Sequence, residues 1–405
     1  MAHSASCASA RFCMFQAISP NKPGTSRRLQ QLLLILLALL GPAVPVATAL
    51  DTGSLPGCAA WVSEYAAFHK ATRLAPDAKY ILHTCYSGMC GGVGDRLRGV
   101  LWSVRLAIAT QRVILVSWHR PLELTNYFQP GEIDWTLEGI PKVSLDSKQR
   151  LGWLDSVPSA HMLASLQPDR VVWELEHNTL EDAPVAAGAP ELPLWSDTAA
   201  CLFQALFQPN ELVMSAVEAE IASLYGNSQA PYSALHIRIG GLEGEGEASI
   251  QLSRMSKLNY FLESVSCLHD LSQTGIGGQD SQETAAVRQP AHLVVSDSNF
   301  LRNKIRKGVL PGLVAPSYTS THLDTVHNSN VMLHASTFVS LVLLARARCA
   351  VYTDSGFSRV AFYLGRQTCA AIMARHEGSL GPLTDMQVRG GSRLRVCDTS
   401  DLPKM

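Results

Sequence analysis

Residues 80–99 read YILHTCYSGMCGGVGDRLRG, and this stretch decides the fold. Tyr80–Cys85 is a run of strand-forming residues, and the glycines after it make a turn. A helix is expected to open at Asp95, a good N-cap, with Leu97, Leu101, Val104 and Ile108 on one face. Arg112–Trp118 (RVILVSW) then supplies a second strand. Strand, helix and strand within so short a span form a right-handed parallel crossover, so the chain belongs to the α/β class.

Further along, the regularity fades and returns. Residues 130–195 show little periodicity and end in EDAPVAAGAPELP (181–193), which reads as a linker or loop. A helical stretch is expected from Thr198 to about Leu224. A second alternating series starts with the strand Tyr232–Ile239, followed by a solvated loop at Glu243–Glu247 and a helix at Lys257–Leu268. Residues 270–290 read as an exposed insertion. Strand His292–Ser296, a helix near Phe300–Lys307, strand Gly312–Ala315, a long helix around Val331–Ala347, strand Cys349–Tyr352 and helix Arg359–Leu364 complete the series. Two Rossmann-like halves, joined within 181–231, are the expected architecture.

Composition narrows the function classes. With 405 residues, 47% hydrophobic and 17% charged, the chain is globular and long enough for two domains. Lys plus Arg number 33 against 34 acids, so there is no basic field to attract nucleic acid. The first 50 residues differ from the rest. They carry Arg11, Lys22, Arg27 and Arg28 and no acid, ahead of an apolar run from Leu32 to Leu50. That pattern is a targeting segment, either a cleaved signal peptide ending near Ala47-Thr48-Ala49 or a type II signal anchor. The expected location is therefore the ER or Golgi lumen, with membrane contact only through this segment. Eight of the ten cysteines follow it, an even number suited to disulfides in an oxidising compartment, and Cys85–Cys90 is the first pair expected.

Three junctions hold the residues that can do chemistry. Gly91, Gly92, Gly94, Asp95 and Arg96 lie between a strand and a helix, where backbone amides favour anions. Leu97 occupies the position where a dinucleotide fingerprint needs glycine, and no G-K-[ST] follows, so neither common nucleotide motif is present. At the second junction, His236-Ile237-Arg238 ends a strand with His236 and Arg238 on one face. Arginine at such a strand end suits phosphate oxygens. The third, Tyr352 to Arg359 (YTDSGFSR), again joins strand to helix, and Asp297 occupies the same kind of position after HLVVS.

Taken in chain order, CGGVGDRLRGV, RVILVSW, HIR, VVSDSN and DSGFSRVAFYLGR resemble the GDP-fucose-dependent fucosyltransferases. The likeness runs from about residue 80 to 375. It implies a GT-B fold of two Rossmann-like domains with the donor in the cleft between them. Residues 58–225 would be the acceptor-side domain, 226–385 the nucleotide-sugar domain and 386–405 a tail. It implies an inverting transfer of fucose from GDP-fucose to a glycan or glycoprotein hydroxyl, without metal or other cofactor. Arg238 would hold the donor pyrophosphate, His236 would line the same pocket, and Asp297 would contact the guanosine end. Ser355, Gly356, Phe357 and Ser358 would cradle the diphosphate. Gly91, Gly92, Gly94, Asp95 and Arg96 would form the loop facing the acceptor, with Asp95 the candidate base. Two other readings share these motifs: a glycosyltransferase using a different nucleotide sugar, and an inactive glycan- or nucleotide-binding relative. Relatives commonly carry an acid shortly after the HxR arginine, where this chain has Ile239-Gly240-Gly241.

Overall fold

The computed structural model describes residues 58–86, 90–118, 120, 122–141, 148–154, 167–239, 254–275, 291–319, 323, 330–373 and 395–397. Within them two parallel sheets form. The first has strand order β2-β1-β5-β4, built from β1 (Tyr80–Cys85), β2 (Val113–Trp118), β4 (Lys148–Leu154) and β5 (Val172–His177). The second has order β12-β11-β10-β7-β8-β9, from β7 (Ser233–Ile237), β8 (His292–Ser296), β9 (Leu313–Val314), β10 (Cys349–Tyr352), β11 (Cys369–Met373) and β12 (Arg395–Cys397). A short antiparallel pair, β3 (Phe128–Pro130) and β6 (Phe207–Pro209), completes the strands. Every residue of β1, β2 and β10 is buried, as expected where helices cover both faces of a parallel sheet.

The helices are α1 (Ala60–Thr72), α2 (Val93–Ala109), α3 (Asp197–Leu206), α4 (Glu211–Tyr225), α5 (Arg254–Gly275), α6 (Asn299–Arg306), α7 (Val331–Ala345) and α8 (Gly356–Gly365). One apolar core runs from Ile81, Leu97 and Leu101 through Phe203 and Phe207 to Phe338, Tyr352 and Phe362. It therefore joins residues of both sheets, which belong to one compact unit, Leu55–Met405. Helix α8 is fixed at both ends by glycine contacts. A Cβ on Gly365 would press into the backbone of Ala345 at the end of α7, and one on Gly356 would lie 2.8 Å from Asp95 Oδ1 of α2.

Several expected boundaries move. Helix α2 opens at Val93 with Gly92 as N-cap, so Asp95 lies in its first turn instead of capping it. Helix α8 opens at Gly356 and not at Arg359, because the Ser355 hydroxyl accepts the Ser358 amide and caps the helix early. Helix α5 runs to Gly275, so residues 270–275 are helix and not insertion. The rest of that insertion, the Glu243–Glu247 loop, the targeting segment and residues 386–394 and 398–405 of the tail lie outside the described residues. Among the described residues no helix is long and apolar enough to cross a membrane.

The 181–193 stretch is a packed loop. Arg105 donates to the carbonyls of Glu181, Ala183 and Pro190 at 2.7 Å, and Trp102 Nε1 donates to Pro184 O at 3.2 Å. Irregular backbone tolerates burial when side chains from α2 satisfy its carbonyls in this way.

Cys85–Cys90 is bonded, together with Cys58–Cys201, Cys267–Cys397 and Cys349–Cys369. No free cysteine remains among the described residues. The full chain produced by secretion should therefore show no reactive thiol beyond those of Cys7 and Cys13 when titrated under denaturing, non-reducing conditions. Eight or more thiols would show that these bonds do not form.

Candidate functional site

The two glycine-bearing junctions meet head to head. From sheet one, β1 ends at Cys85, and the Cys85–Cys90 bond closes the turn with Cα atoms 5.9 Å apart. Gly91 follows with φ of 76°, a left-handed conformation that favours glycine. A Cβ there would also lie 3.0 Å from Asp95 Oδ2. From sheet two, β10 passes through Thr353 and Asp354 to the Ser355 cap of α8. Gly94 in the first turn of α2 rests on the backbone of Gly356 and Phe357, with the Gly356 carbonyl oxygen 2.7 Å from where its Cβ would be.

Beside this contact lies a buried cluster of charge. Arg98 Nη2 donates to Asp95 Oδ1 at 2.5 Å, and Arg98 Nη1 lies 3.7 Å from Glu181 Oε2. Arg359 Nη1 lies 3.6 Å from Glu181 Oε1, while Arg359 Nη2 donates to Asp354 Oδ1 at 3.0 Å. The Tyr363 hydroxyl donates to Glu181 Oε1 at 2.9 Å and accepts the Trp195 amide. The Glu181 side chain is fully buried, but Asp95 keeps 36% exposure. Burial alone pulls the Arg359 guanidinium down, yet Glu181 and Asp354 outweigh it and hold the group above its ordinary value. Burial, reinforced by the Glu181 charge, pushes the Tyr363 phenol well up, so it remains a donor.

The second sheet brings three strand ends to the same edge. β7 and β10 pair with His236 opposite Tyr352, and β7 and β8 pair with Ile237 opposite Ser296. Thr353 N donates to His236 O at 3.1 Å, and Thr353 Oγ1 accepts the Arg238 amide at 3.2 Å. His236 Nδ1 lies 2.6 Å from Ser358 Oγ, and its ring is 5.1 Å from that of Phe357. Burial, then the nearby Arg238, lowers the His236 pKa to about 3, so the ring is neutral near pH 7. Asp297 Oδ1 accepts the Ile239 amide at 3.0 Å, tying the end of β8 to that of β7.

His236, Arg238, Asp297 and Ser355–Ser358 thus share one sheet edge, Gly94 and Asp95 stand against Gly356 and Phe357, and Gly91 lies beside Asp95. Arg96 behaves differently. It is 1% exposed, donates to Gly91 O at 2.8 Å and to Arg120 O, and lies over the Trp118 ring. Its guanidinium is packed against the loop carbonyls and the Trp118 ring, nearly sealed from solvent. Glu181 and Tyr363 lie outside the sequence-derived candidate stretches, and Arg359, which closes the DSGFSR motif, carries no assigned role there. A charged residue among the apolar VAFYL neighbours of α8 was the available signal.

One cluster among the described residues has metal-ligand spacing, Cys85, Cys90 and Glu176, and both of its sulfurs are in a disulfide.

No family model and no curated protein matches the chain. Solved structures similar to it include FUT1 of Arabidopsis thaliana with GDP, 14% identical with a TM-score of 0.49, covering 80% of this chain and 82% of that one. NodZ α1,6-fucosyltransferase soaked with GDP-fucose, an enzyme of Bradyrhizobium, is 13% identical with a TM-score of 0.40, covering 71% and 92%. POFUT1 with GDP is 13% identical with a TM-score of 0.43, covering 74% and 99%.

Proposed function

We propose that the protein is an inverting, metal-independent glycosyltransferase that moves fucose from GDP-fucose to a hydroxyl of a glycan or glycoprotein. The observation that carries this reading is the meeting of two motifs far apart in sequence: the GGVGDRLRG turn abuts the DSGFSR turn, with HIR on the adjacent strand end. These are the blocks whose order resembles the fucosyltransferases. In this reading 58–225 and 226–385 act as acceptor-side and donor-side Rossmann-like domains of a GT-B arrangement, and the N-terminal segment delivers the chain to the ER or Golgi lumen.

The chemistry follows from charge. As the sugar–phosphate bond breaks, the sugar becomes oxocarbenium-like and negative charge grows on the nucleoside diphosphate. In this reading Arg238 and the amides at the start of α8 receive that charge, and preformed donors in a dry site are worth most at the transition state. His236, neutral and held against Ser358, shapes the pocket without adding a second positive charge. Asp95 retains enough exposure to take the acceptor hydroxyl proton.

Metal-dependent sugar transferases neutralise the departing diphosphate with a divalent ion, usually on a D-x-D pair, and no D-x-D spacing exists in this chain. Turnover of GDP-fucose in excess EDTA should therefore equal turnover without it. A tenfold drop restored by magnesium or manganese sinks the metal-free mechanism. No release of GDP from GDP-fucose with any glycan or glycoprotein pool sinks the assignment itself.

A further inference from the structure

Glu181 lies where the two motif-bearing helices are joined, and no motif contains it. Its carboxylate is the shared neighbour of Arg98, which grips Asp95 on α2, and of Arg359, which grips Asp354 just ahead of α8. Each carboxylate oxygen faces a different helix: Oε2 lies 3.7 Å from Arg98, and Oε1 lies 3.6 Å from Arg359 and 2.9 Å from the Tyr363 hydroxyl. Of these residues only Asp95 is open to water, with Arg98 at 8% and Arg359 at 9% side-chain exposure. A carboxylate at 0% exposure, set between two guanidiniums, holds both by charge at low dielectric.

What holds Glu181 is equally specific. The segment leaving β5 is anchored by His177, whose Nε2 lies 2.9 Å from Ser103 Oγ, and Ser103 in turn lies 3.0 Å from His83 Nδ1. Asn178 then passes beside Gly91 and Gly99, and Arg105 captures the backbone carbonyl of Glu181 itself. Glu181 is thus fixed to the rigid body of sheet one while its side chain reaches across to α8 of sheet two. We propose that Glu181 is a positioning residue: it sets the register between the α2 and α8 termini, and so the distance from Asp95 to the donor whose diphosphate is held at Ser355–Ser358. The inference rests on the glycosyltransferase reading above, and assigns Glu181 no contact with substrate.

Two variants test it. Glu181→Gln keeps the shape and an acceptor for Tyr363 but removes the charge that both guanidiniums share. Tyr363→Phe keeps the charge and removes only the hydroxyl that orients Oε1. Each is purified as the full secreted chain and assayed for kcat, donor KM, GDP affinity and thermal midpoint. Misplacement by a fraction of an ångström costs rate and not ground-state binding, so kcat for transfer should fall about 10–100-fold in Glu181→Gln and less, in the same direction, in Tyr363→Phe. Donor KM and GDP affinity should stay within about threefold. A merely structural role predicts a lower thermal midpoint with kcat per folded molecule unchanged. That result, in both variants or in Tyr363→Phe alone should Glu181→Gln not fold, overturns the proposal and leaves the transferase reading standing. An unmodified chain that turns over no GDP-fucose overturns both, because nothing then remains to be positioned.

Discussion

Replacing Gly94 by alanine should destabilise the protein and abolish most of its activity, even though alanine is the better helix former. Gly94 lies inside α2, where helix propensity alone favours alanine by about 1 kcal/mol. The added Cβ, however, would enter the backbone of Gly356 and Phe357. Backbone at a capped helix start cannot rotate away as a flexible side chain can, so α2 and α8 must separate. Overpacking of this kind costs about 1–3 kcal/mol, and the rigid opponent places this site at the upper end. A net loss of about 2 kcal/mol lowers the thermal midpoint by about 4–8 °C for a domain of this size class. Separation of the termini also moves Asp95 away from Ser355–Ser358, so transfer should fall by about 100-fold. The measurement is a thermal melt with a GDP-fucose turnover assay on the same preparation. A variant as stable and active as its parent removes the head-to-head contact from the site.

The second large effect belongs to Arg238→Ala. Its turnover should be lost and its GDP binding weakened, with the fold intact. Loss of a charge-assisted contact to the departing diphosphate costs about 2–4 kcal/mol of transition-state stabilisation, or roughly 30- to 1000-fold in rate. The backbone bond from the Arg238 amide to Thr353 Oγ1, just past the end of β10, is kept by alanine. Activity near the parent level would show that the positive charge comes from elsewhere.

The first crossover was legible because its signals agree: apolar strand, glycine turn, amphipathic helix, apolar strand. The ends of β7, β8 and β10 were legible for the same reason. β5 was not. Its WELEH alternation puts Glu174 and Glu176 where a buried strand should be apolar, and only the structure shows Arg150 and Lys148 of β4 paired with Glu174. The 181–193 loop misled by composition. Proline and alanine look like a linker, while the groups that bury it, Arg105 and Trp102, lie some 80 residues earlier. Glu181 was invisible for a related reason, since its partners sit on two other elements. Asp95 shows the limit of capping rules: a residue type suited to a cap was placed in the first turn by the glycine ahead of it.

The disulfides have a mechanical meaning. Cys58–Cys201 and Cys267–Cys397 close two long covalent rings, one around all of sheet one and one around β8 to β12. A chain pulled at its ends passes its tension across each bond, and the rings carry no extension. Between the bridges only residues 202–266 remain a linear path, and they include β6, α4 and β7. Load on the tethered protein therefore concentrates on β7, the strand that carries His236 and leads into Arg238, which would be drawn out of the second sheet before any strand enclosed by a ring.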